Sequence, residues 1–212
     1  MDPELTLYAE STWMSPWVFH AMVALDEKQL PFTLVATPLP IPEPLRSEAK
    51  SKALLGKVPL LVHGDLWLTE SLAISEYLAE TFPTPGHPRL FPEDLGQRAR
   101  ARQVMSWLRT SLASLRSDRP TSSVFARPTV RPMTEKGKED AGELLRVATA
   151  LVPAGATQMF AEWSIADIDL ALALMRMIAS QDHVPDHLVR YALAQWDRRS
   201  VKRFLAHVPT TP

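Results

Sequence analysis

The sequence of 212 residues contains no cysteine. This absence excludes a disulfide framework, a zinc site with cysteine ligands, and a protein thiol that acts as nucleophile or redox couple. Any sulfur chemistry must therefore use a sulfur atom that a ligand brings. No set of His, Asp and Glu has the spacing of a metal site either, since His183 and His187 lie four positions apart with Pro185 between them.

The chain also lacks long apolar segments and a surplus of charge of either sign. No run reaches the roughly 18 apolar residues of a membrane span, and the amino terminus lacks the basic-then-apolar order of a signal peptide. The formal net charge of −1 gives no general attraction for nucleic acid or for an anionic membrane. With 46% hydrophobic residues, the composition indicates a globular protein of one large or two small domains, expected in the cytoplasm without nucleic-acid or membrane partners.

The most informative stretch lies at residues 5–28, where a strand, a loop and a helix are predicted in succession. Ser15 is a preferred N-cap residue, Pro16 suits the first helical position, and apolar residues follow at helical spacing. The Ser15 hydroxyl should therefore lie at a helix N-terminus, where the macrodipole and several unpaired backbone N–H groups favour an anion. From these residues alone, Ser15 is either a helix cap or part of an anion site.

Residues 1–83 have the pattern of a small α/β domain. After the first strand and helix, residues 32–36 predict a second strand and residues 45–54 a short helix. Two short apolar runs joined by a Gly-Asp turn predict an antiparallel hairpin. A further helix should begin near Ser71, with Ser71 or Thr69 as its cap. The predicted order is βαβ-α-ββα, with a mixed four-stranded sheet.

A proline-rich segment at residues 84–96 predicts a linker, and strand patterns are absent beyond it. Residues 97–212 should form an all-helical domain. A helix is predicted over 97–117, although three arginines near its start favour an earlier beginning close to residues 92–94. Four further helices and one long irregular connection are predicted, the helices at 134–152, 164–178, 186–195 and 198–207 and the connection at 119–133.

Four motifs in order resemble the cytosolic glutathione transferase superfamily. They are Ser15-Pro16-Trp17, GKVPLL at residues 56–61, TESLAI at residues 69–74 and SIAD at residues 164–167. The resemblance covers nearly the whole chain. It implies a thioredoxin-like domain at residues 1–83 that binds glutathione as co-substrate, followed by an all-α domain that contributes the electrophile site. A serine near the first helix, instead of tyrosine or cysteine, is similar to the serine-type members, and the sequence looks closest to bacterial members.

The resemblance implies that the Ser15 hydroxyl donates a hydrogen bond to the sulfur of bound glutathione. A free thiol with a pKa of about 8.5 is only a few per cent ionised at pH ~7. A hydrogen bond to a charged group contributes about 1.5 to 3 kcal/mol and the helix end about 0.3 to 1, which together lower the thiol pKa by roughly one to three units. Ser11 is the alternative donor. Tyr8 resembles in position the tyrosine of the tyrosine-type classes and is a second rival, although its ring is expected in the core. His20 is expected to be a packing or surface histidine and not a base.

Two further motifs are implied to hold the rest of glutathione. The Val58–Pro59 peptide bond should be cis, as in thioredoxin-like domains, and Val58 should present its backbone groups to the cysteinyl part. Glu70 should accept from the γ-glutamyl ammonium, and Ser71 should bind the γ-glutamyl carboxylate. Lys57 either pairs with a ligand carboxylate or is solvated. The motif at residues 164–167 is interpreted as a capping box that serves folding.

These expectations describe a detoxifying glutathione S-transferase for small hydrophobic electrophiles, and the resemblance also implies a homodimer. Parts of the electrophile site are expected at Met14, Trp17, Trp107 and Ser111, with residues 119–133 as a lid. Two alternatives stay open. One is glutathione-dependent reduction of organic hydroperoxides, and the other is a non-catalytic scaffold that binds a protein partner.

Overall fold

The computed structural model describes residues 4–209, which divide into two compact units. The first unit comprises the chain up to Leu90 together with Ala206–Pro209, and the second comprises Phe91–Leu205. The change from one unit to the other after Leu90 lies inside the segment 84–96, for which the sequence predicts a linker.

Within the described residues, the first unit contains a four-stranded sheet and three helices. Its elements are β1 (Leu5–Glu10), α1 (Pro16–Glu27), β2 (Phe32–Thr37), α2 (Leu45–Ala53), β3 (Leu60–His63), β4 (Leu66–Thr69) and α3 (Ser71–Thr81). The strand order is β2-β1-β3-β4, with β1 parallel to β2 and antiparallel to β3. The predicted βαβ-α-ββα order and the mixed sheet are confirmed.

Tyr8 and His20 both take part in the packing of this unit. The Tyr8 ring stacks on Trp67 with ring centroids 6.4 Å apart and packs against a small apolar cluster that joins α2 to β3. His20 is fully buried, and its Nε2 atom shares a hydrogen bond of 3.2 Å with the Ser75 hydroxyl on α3. The prediction that these residues pack is confirmed.

A buried lysine anchors the segment that follows α3. Lys28 lies directly after α1 and is 1% exposed, and its Nζ donates to the carbonyl oxygens of Phe82 and, at 2.9 Å, Pro88. Burial lowers the pKa of this amine, and the nearby charge of Arg89 acts in the same direction. Segment 82–88 is therefore tied to the end of α1 opposite to Ser15.

The second unit is helical throughout its described part. Its elements are α4 (Leu95–Thr110), α5 (Ala113–Asp118), α6 (Ser122–Phe125), α7 (Glu135–Leu151), α8 (Ile165–Ala179), α9 (Asp186–Trp196) and α10 (Arg199–Leu205). Every residue of α8 from Ile165 to Met177 is buried, and this helix contacts α4, α6, α7 and α9. The prediction that α8 is the buried central helix is confirmed. The 119–133 connection is irregular except for the single turn of α6.

The prediction of one helix over 97–117 is wrong. The earlier start is confirmed, because Asp94 is the N-cap of α4 and its Oδ1 accepts from the Gln97 N–H at 2.8 Å. The helix ends before the predicted position because Leu112 adopts a left-handed backbone with φ 57°, and the chain turns there into α5. Arg116 on α5 then donates to three carbonyl oxygens at the carboxyl end of α4, which lost their helical partners at the break.

Candidate functional site

Three of the predicted motifs lie at one edge of the sheet. β3 runs antiparallel to β1 and so begins where β1 ends, and β4 returns to the same end. Ser15 follows β1 after a short loop, Val58–Pro59 directly precedes β3, and Glu70 directly follows β4. The strand register therefore brings these three segments together at the carboxyl end of β1.

Ser15 is the N-cap of α1, as predicted. Its backbone is extended, with φ −77° and ψ 119°, and its side-chain oxygen accepts from the Val18 N–H at 3.3 Å. Pro16 occupies the first helical position. Because the oxygen accepts from the helix, the single hydroxyl hydrogen is available to donate elsewhere. Ser15 is partly exposed, so a ligand can reach this hydrogen.

Glu10, which the motif patterns do not single out, places a carboxylate beneath the loop of residues 11–15. The residue is 2% exposed. Its Oε1 accepts from the Ser15 N–H at 2.8 Å, and its Oε2 accepts from the Thr12 N–H at 2.7 Å and from the Thr12 hydroxyl. The signal that could have revealed it is a strand-ending acid followed by hydroxyl residues and the positive end of a helix.

The prediction of several unpaired N–H groups at the start of α1 is wrong. The Ser15 N–H binds Glu10, Pro16 has no N–H, and the Val18 N–H binds the Ser15 oxygen. The physical reason is that the loop turns an acidic side chain of the protein toward the helix end. The favourable end of the macrodipole therefore already has a carboxylate beside it.

Ser11 and Thr12 add two exposed residues with hydroxyl groups to this loop. The Ser11 N–H donates to the Thr37 carbonyl at 2.8 Å, which continues the pairing of β1 with β2 by one residue. The Thr12 hydroxyl donates to Glu10 and so uses its hydrogen inside the loop. Ser15 and Ser11 are therefore the hydroxyl groups that can donate to a ligand here.

The Val58–Pro59 peptide bond is cis, as the resemblance implies. Pro59 is buried and Val58 is partly exposed. Lys57 is exposed, and within residues 4–209 no ion pair or hydrogen bond involves its side chain. A cation at this position is therefore available to a carboxylate of a ligand.

Glu70 is the N-cap of α3 and has a positive φ of 68° with ψ 113°. Such a sparsely populated conformation costs a residue other than glycine about 1–3 kcal/mol, and it is found preferentially at functional sites. The Glu70 side chain is exposed and forms no hydrogen bond or ion pair in the described part of the chain. Ser71 is 4% exposed and begins the helix. The prediction that Thr69 or Ser71 caps α3 is wrong, because Thr69 ends β4 and Glu70 occupies the cap position.

The capping box at residues 164–167 is present in the helical unit. Asp167 Oδ2 accepts from the Ser164 N–H at 2.9 Å, and Oδ1 accepts from the Met159 N–H and the Tyr191 hydroxyl, both at 2.8 Å. Burial raises the pKa of Asp167, while these hydrogen bonds act in the opposite direction. All the partners belong to the helical unit, in agreement with a role in folding.

Trp107 and the 119–133 connection, both expected to contribute to the electrophile site, also lie in this unit. Trp107 lines a cavity of about 300 Å³ between α4 and α7. The connection is closed at its base, because Asp118 Oδ2 accepts from the Thr134 N–H at 2.8 Å and from the Thr134 hydroxyl at 2.7 Å. In residues 4–209 no group of three or more His, Asp or Glu side chains could hold a metal ion, and no helix there is long and apolar enough to cross a membrane.

Two family models match the chain in succession. Residues 14–81 match the model described as glutathione S-transferase, N-terminal domain, and residues 94–209 match the model described as glutathione S-transferase, C-terminal domain. The second match alone covers more than half of the chain.

Individual glutathione transferases are also similar to this chain. The chain is 32% identical to a glutathione transferase homologue from Burkholderia gl BGR1, solved with bound glutathione, over 97% of each chain and with a TM-score of 0.78. It is 28% identical over 176 residues to glutathione S-transferase T1 of Arabidopsis thaliana, which covers 79% of this chain and 71% of that protein. The similarity to glutathione S-transferase U13 of the same plant, 36% over 91 residues, covers 43% of this chain and only 39% of that relative's length.

Proposed function

The chain belongs to the glutathione S-transferase family, and we propose that it binds glutathione at the carboxyl end of β1 and transfers it to soft electrophiles. The observation that carries this proposal is the convergence of Ser15, Val58–Pro59 and Glu70 at one edge of the sheet. Each of these segments offers a group suited to a different part of a thiol tripeptide. A scaffold that only binds a protein partner would need none of this chemistry.

Ser15 is the proposed donor to the sulfur, and Ser11 is the alternative. The thiol proton leaves to solvent, the Ser15 hydroxyl donates to the thiolate, and the thiolate forms the new C–S bond as the electrophile releases its leaving group or accepts the electron pair. Because Glu10 lies beside the helix end, the hydroxyl supplies most of the stabilisation. One hydrogen bond to a charged group is worth about 1.5 to 3 kcal/mol, or roughly one to two pKa units.

The remaining parts of glutathione meet groups that the protein leaves available. The exposed Glu70 carboxylate is suited to the γ-glutamyl ammonium, and the first turn of α3, which begins at Ser71, is suited to the γ-glutamyl carboxylate. Val58 would form strand-like hydrogen bonds with the cysteinyl backbone. Lys57 is exposed and is suited to a ligand carboxylate.

The test is retention on immobilised glutathione, followed by the ultraviolet absorbance of bound thiolate as a function of pH. We expect Ser15→Ala to raise the pKa of the bound thiol by about one to two units, and Ser11→Ala, the matched control in the same loop, to change it much less. The reverse result would assign the sulfur contact to Ser11. A wild-type protein that glutathione does not retain would contradict the proposed function and favour the scaffold alternative.

The same thiolate can reduce an organic hydroperoxide. It attacks the O–O bond, releases an alcohol and becomes a sulfenic acid, and a second glutathione converts this sulfenic acid to the disulfide with release of water. We propose this as a side activity of the same site. Parallel assays with a soft electrophile and a hydroperoxide, each with Ser15→Ala, would rank the two reactions. A detoxifying role and a cytoplasmic location belong to the same proposal, as does the contribution of the helical domain to the electrophile site.

A homodimer is also proposed, and a group of exposed leucines in the first unit supports it. Leu54 is 85% exposed and directly follows α2, Leu55 is 38% exposed, and Leu66 on the adjacent strand β4 is 40% exposed. Leu54 also has a positive φ of 65°, which residues other than glycine rarely adopt. An apolar side chain presented to solvent in a strained conformation is suited to contact with a second copy of the chain.

A further inference from the structure

We propose that Glu10 is a positioning residue for the thiolate site, because its buried carboxylate holds the loop of residues 11–15 so that the Ser15 hydroxyl, and not the Thr12 hydroxyl, is presented to the sulfur. This inference rests on the proposed function. Glu10, a strand residue, thereby controls which hydroxyl group of the loop can donate.

The Glu10 carboxylate binds the loop of residues 11–15 at two positions. Glu10 is 2% exposed, and its two oxygens accept from backbone N–H groups at both ends of the loop, from Thr12 at 2.7 Å and from Ser15 at 2.8 Å. The backbone of Trp13 between them is left-handed with φ 60°, and the Trp13 ring stacks on His207. A loop with this turn closes over the carboxylate, and no side chain other than Thr12 donates to Glu10 within residues 4–209.

The hydroxyl hydrogens of Thr12 and Ser15 are directed to different places. A hydroxyl group has one hydrogen to donate. The Thr12 hydroxyl directs its hydrogen to Glu10 and can only accept from a ligand. The Ser15 oxygen accepts from the Val18 N–H, so its hydrogen points away from the helix. Of these two hydroxyl groups, only that of Ser15 can therefore donate to a thiolate, which can only accept.

The charge of Glu10 also affects the pKa of a bound thiol. A carboxylate close to a bound thiolate opposes ionisation of the thiol, because like charges disfavour each other. Glu10 therefore has two opposite effects on the thiol pKa. Its charge raises the thiol pKa, and its positioning of Ser15 lowers it. A single substitution mixes the two effects, whereas a double-mutant cycle with Ser15 separates them.

The experiment measures the pKa of bound glutathione by thiolate absorbance in wild type, Glu10→Gln, Ser15→Ala and the double variant. Glutamine keeps the size of the side chain but loses the charge, and its amide group can accept only one of the two backbone N–H groups. In the Ser15→Ala background there is no hydroxyl to position, so only the charge effect remains. We expect the Glu10→Gln shift to be more positive with Ser15 present than in the Ser15→Ala background, by about 0.5 to 1 unit.

Equal shifts in the two backgrounds would overturn the proposal, because Glu10 would then act without Ser15. If Glu10→Gln does not fold, as judged by circular dichroism, Glu10→Asp takes its place in the cycle. Aspartate keeps the charge but is too short to reach both N–H groups, so it should raise the thiol pKa only when Ser15 is present. Failure of wild type to bind immobilised glutathione would reject the proposed function itself, whereas binding with no coupling would reject only the role of Glu10.

Discussion

Replacing Gly137 with alanine should destabilise the helical unit, whereas the same change at Gly142 on the same helix should stabilise it. Gly137 lies in the first turn of α7, and a Cβ atom there would overlap Asp118 Oδ2 and lie 3.1 Å from Asp118 Cγ and from Thr134 Oγ1. Asp118 is held in place, because the same oxygen accepts from the Thr134 N–H and hydroxyl. A Cβ atom at Gly142 meets no atom within 4 Å.

The size of each energy term decides whether the substitution stabilises or destabilises the fold at each position. Gly→Ala in a helix interior contributes about 1 kcal/mol in favour of the folded state. At Gly137 the new methyl group must displace the Asp118 carboxylate, and the loss of hydrogen bonds to a charged group costs about 1.5 to 3 kcal/mol, with further strain where the loop does not yield. The expected net loss for Gly137→Ala is about 1 to 3 kcal/mol, against a gain of about 0.5 to 1 kcal/mol for Gly142→Ala.

Urea unfolding followed by far-ultraviolet circular dichroism tests this pair directly. The midpoint should fall for Gly137→Ala and rise for Gly142→Ala relative to wild type. If Gly137→Ala raises the midpoint as much as its partner does, Asp118 moves without penalty. The closure of the 119–133 connection would then not depend on the Asp118–Thr134 contact.

Three other outcomes follow from the contacts described above. The hydrogen bonds from Thr134 lower the pKa of Asp118, so this carboxylate stabilises the fold fully above the ordinary carboxyl pKa of about 4 and loses its effect as the pH falls through the lower folded-state pKa. The difference in urea midpoint between wild type and Asp118→Asn should therefore become smaller as the pH falls over that range. A difference that stays constant would contradict this role of Asp118. Asp167→Ala should cost about 2 to 4 kcal/mol in the same urea assay, and Tyr191→Phe, which removes one of the four groups that donate to Asp167, about 1 kcal/mol. Equal losses for the two variants would contradict this hydrogen-bond network. Leu54→Glu should convert a sedimenting dimer into a 23.7 kDa species, and a dimer unaffected by it would place the interface elsewhere.

Features set by neighbouring residues could be predicted from the sequence. The cap at Ser15 depends on one hydroxyl group and the proline that follows it, and the capping box at residues 164–167 depends on two side chains three positions apart. The early start of α4 followed from the unfavourable effect of arginines at a helix N-terminus, and Asp94 supplies the cap. In each case the responsible groups lie within one helical turn.

Features that depend on distant parts of the chain could not be predicted. Leu112 and Glu70 both have a positive φ, although neither is glycine or asparagine, so no residue type marked the break before α5 or the start of α3. The role of Glu10 was hidden for a similar reason. A glutamate at the end of a strand is ordinarily solvated, whereas this one is buried and accepts hydrogen bonds from Thr12 and Ser15 in the loop that follows.

The burial of Lys28 makes its amine a chemical probe of how often the protein opens locally. Acylating reagents attack the neutral amine, and the lowered pKa of Lys28 favours that form, yet the amine is enclosed while it binds the carbonyl oxygens of Phe82 and Pro88. Modification therefore requires segment 82–88 to leave the end of α1, whereas the exposed Lys57 reacts without any such movement. The ratio of the two labelling rates, read by mass spectrometry, measures the frequency of that opening.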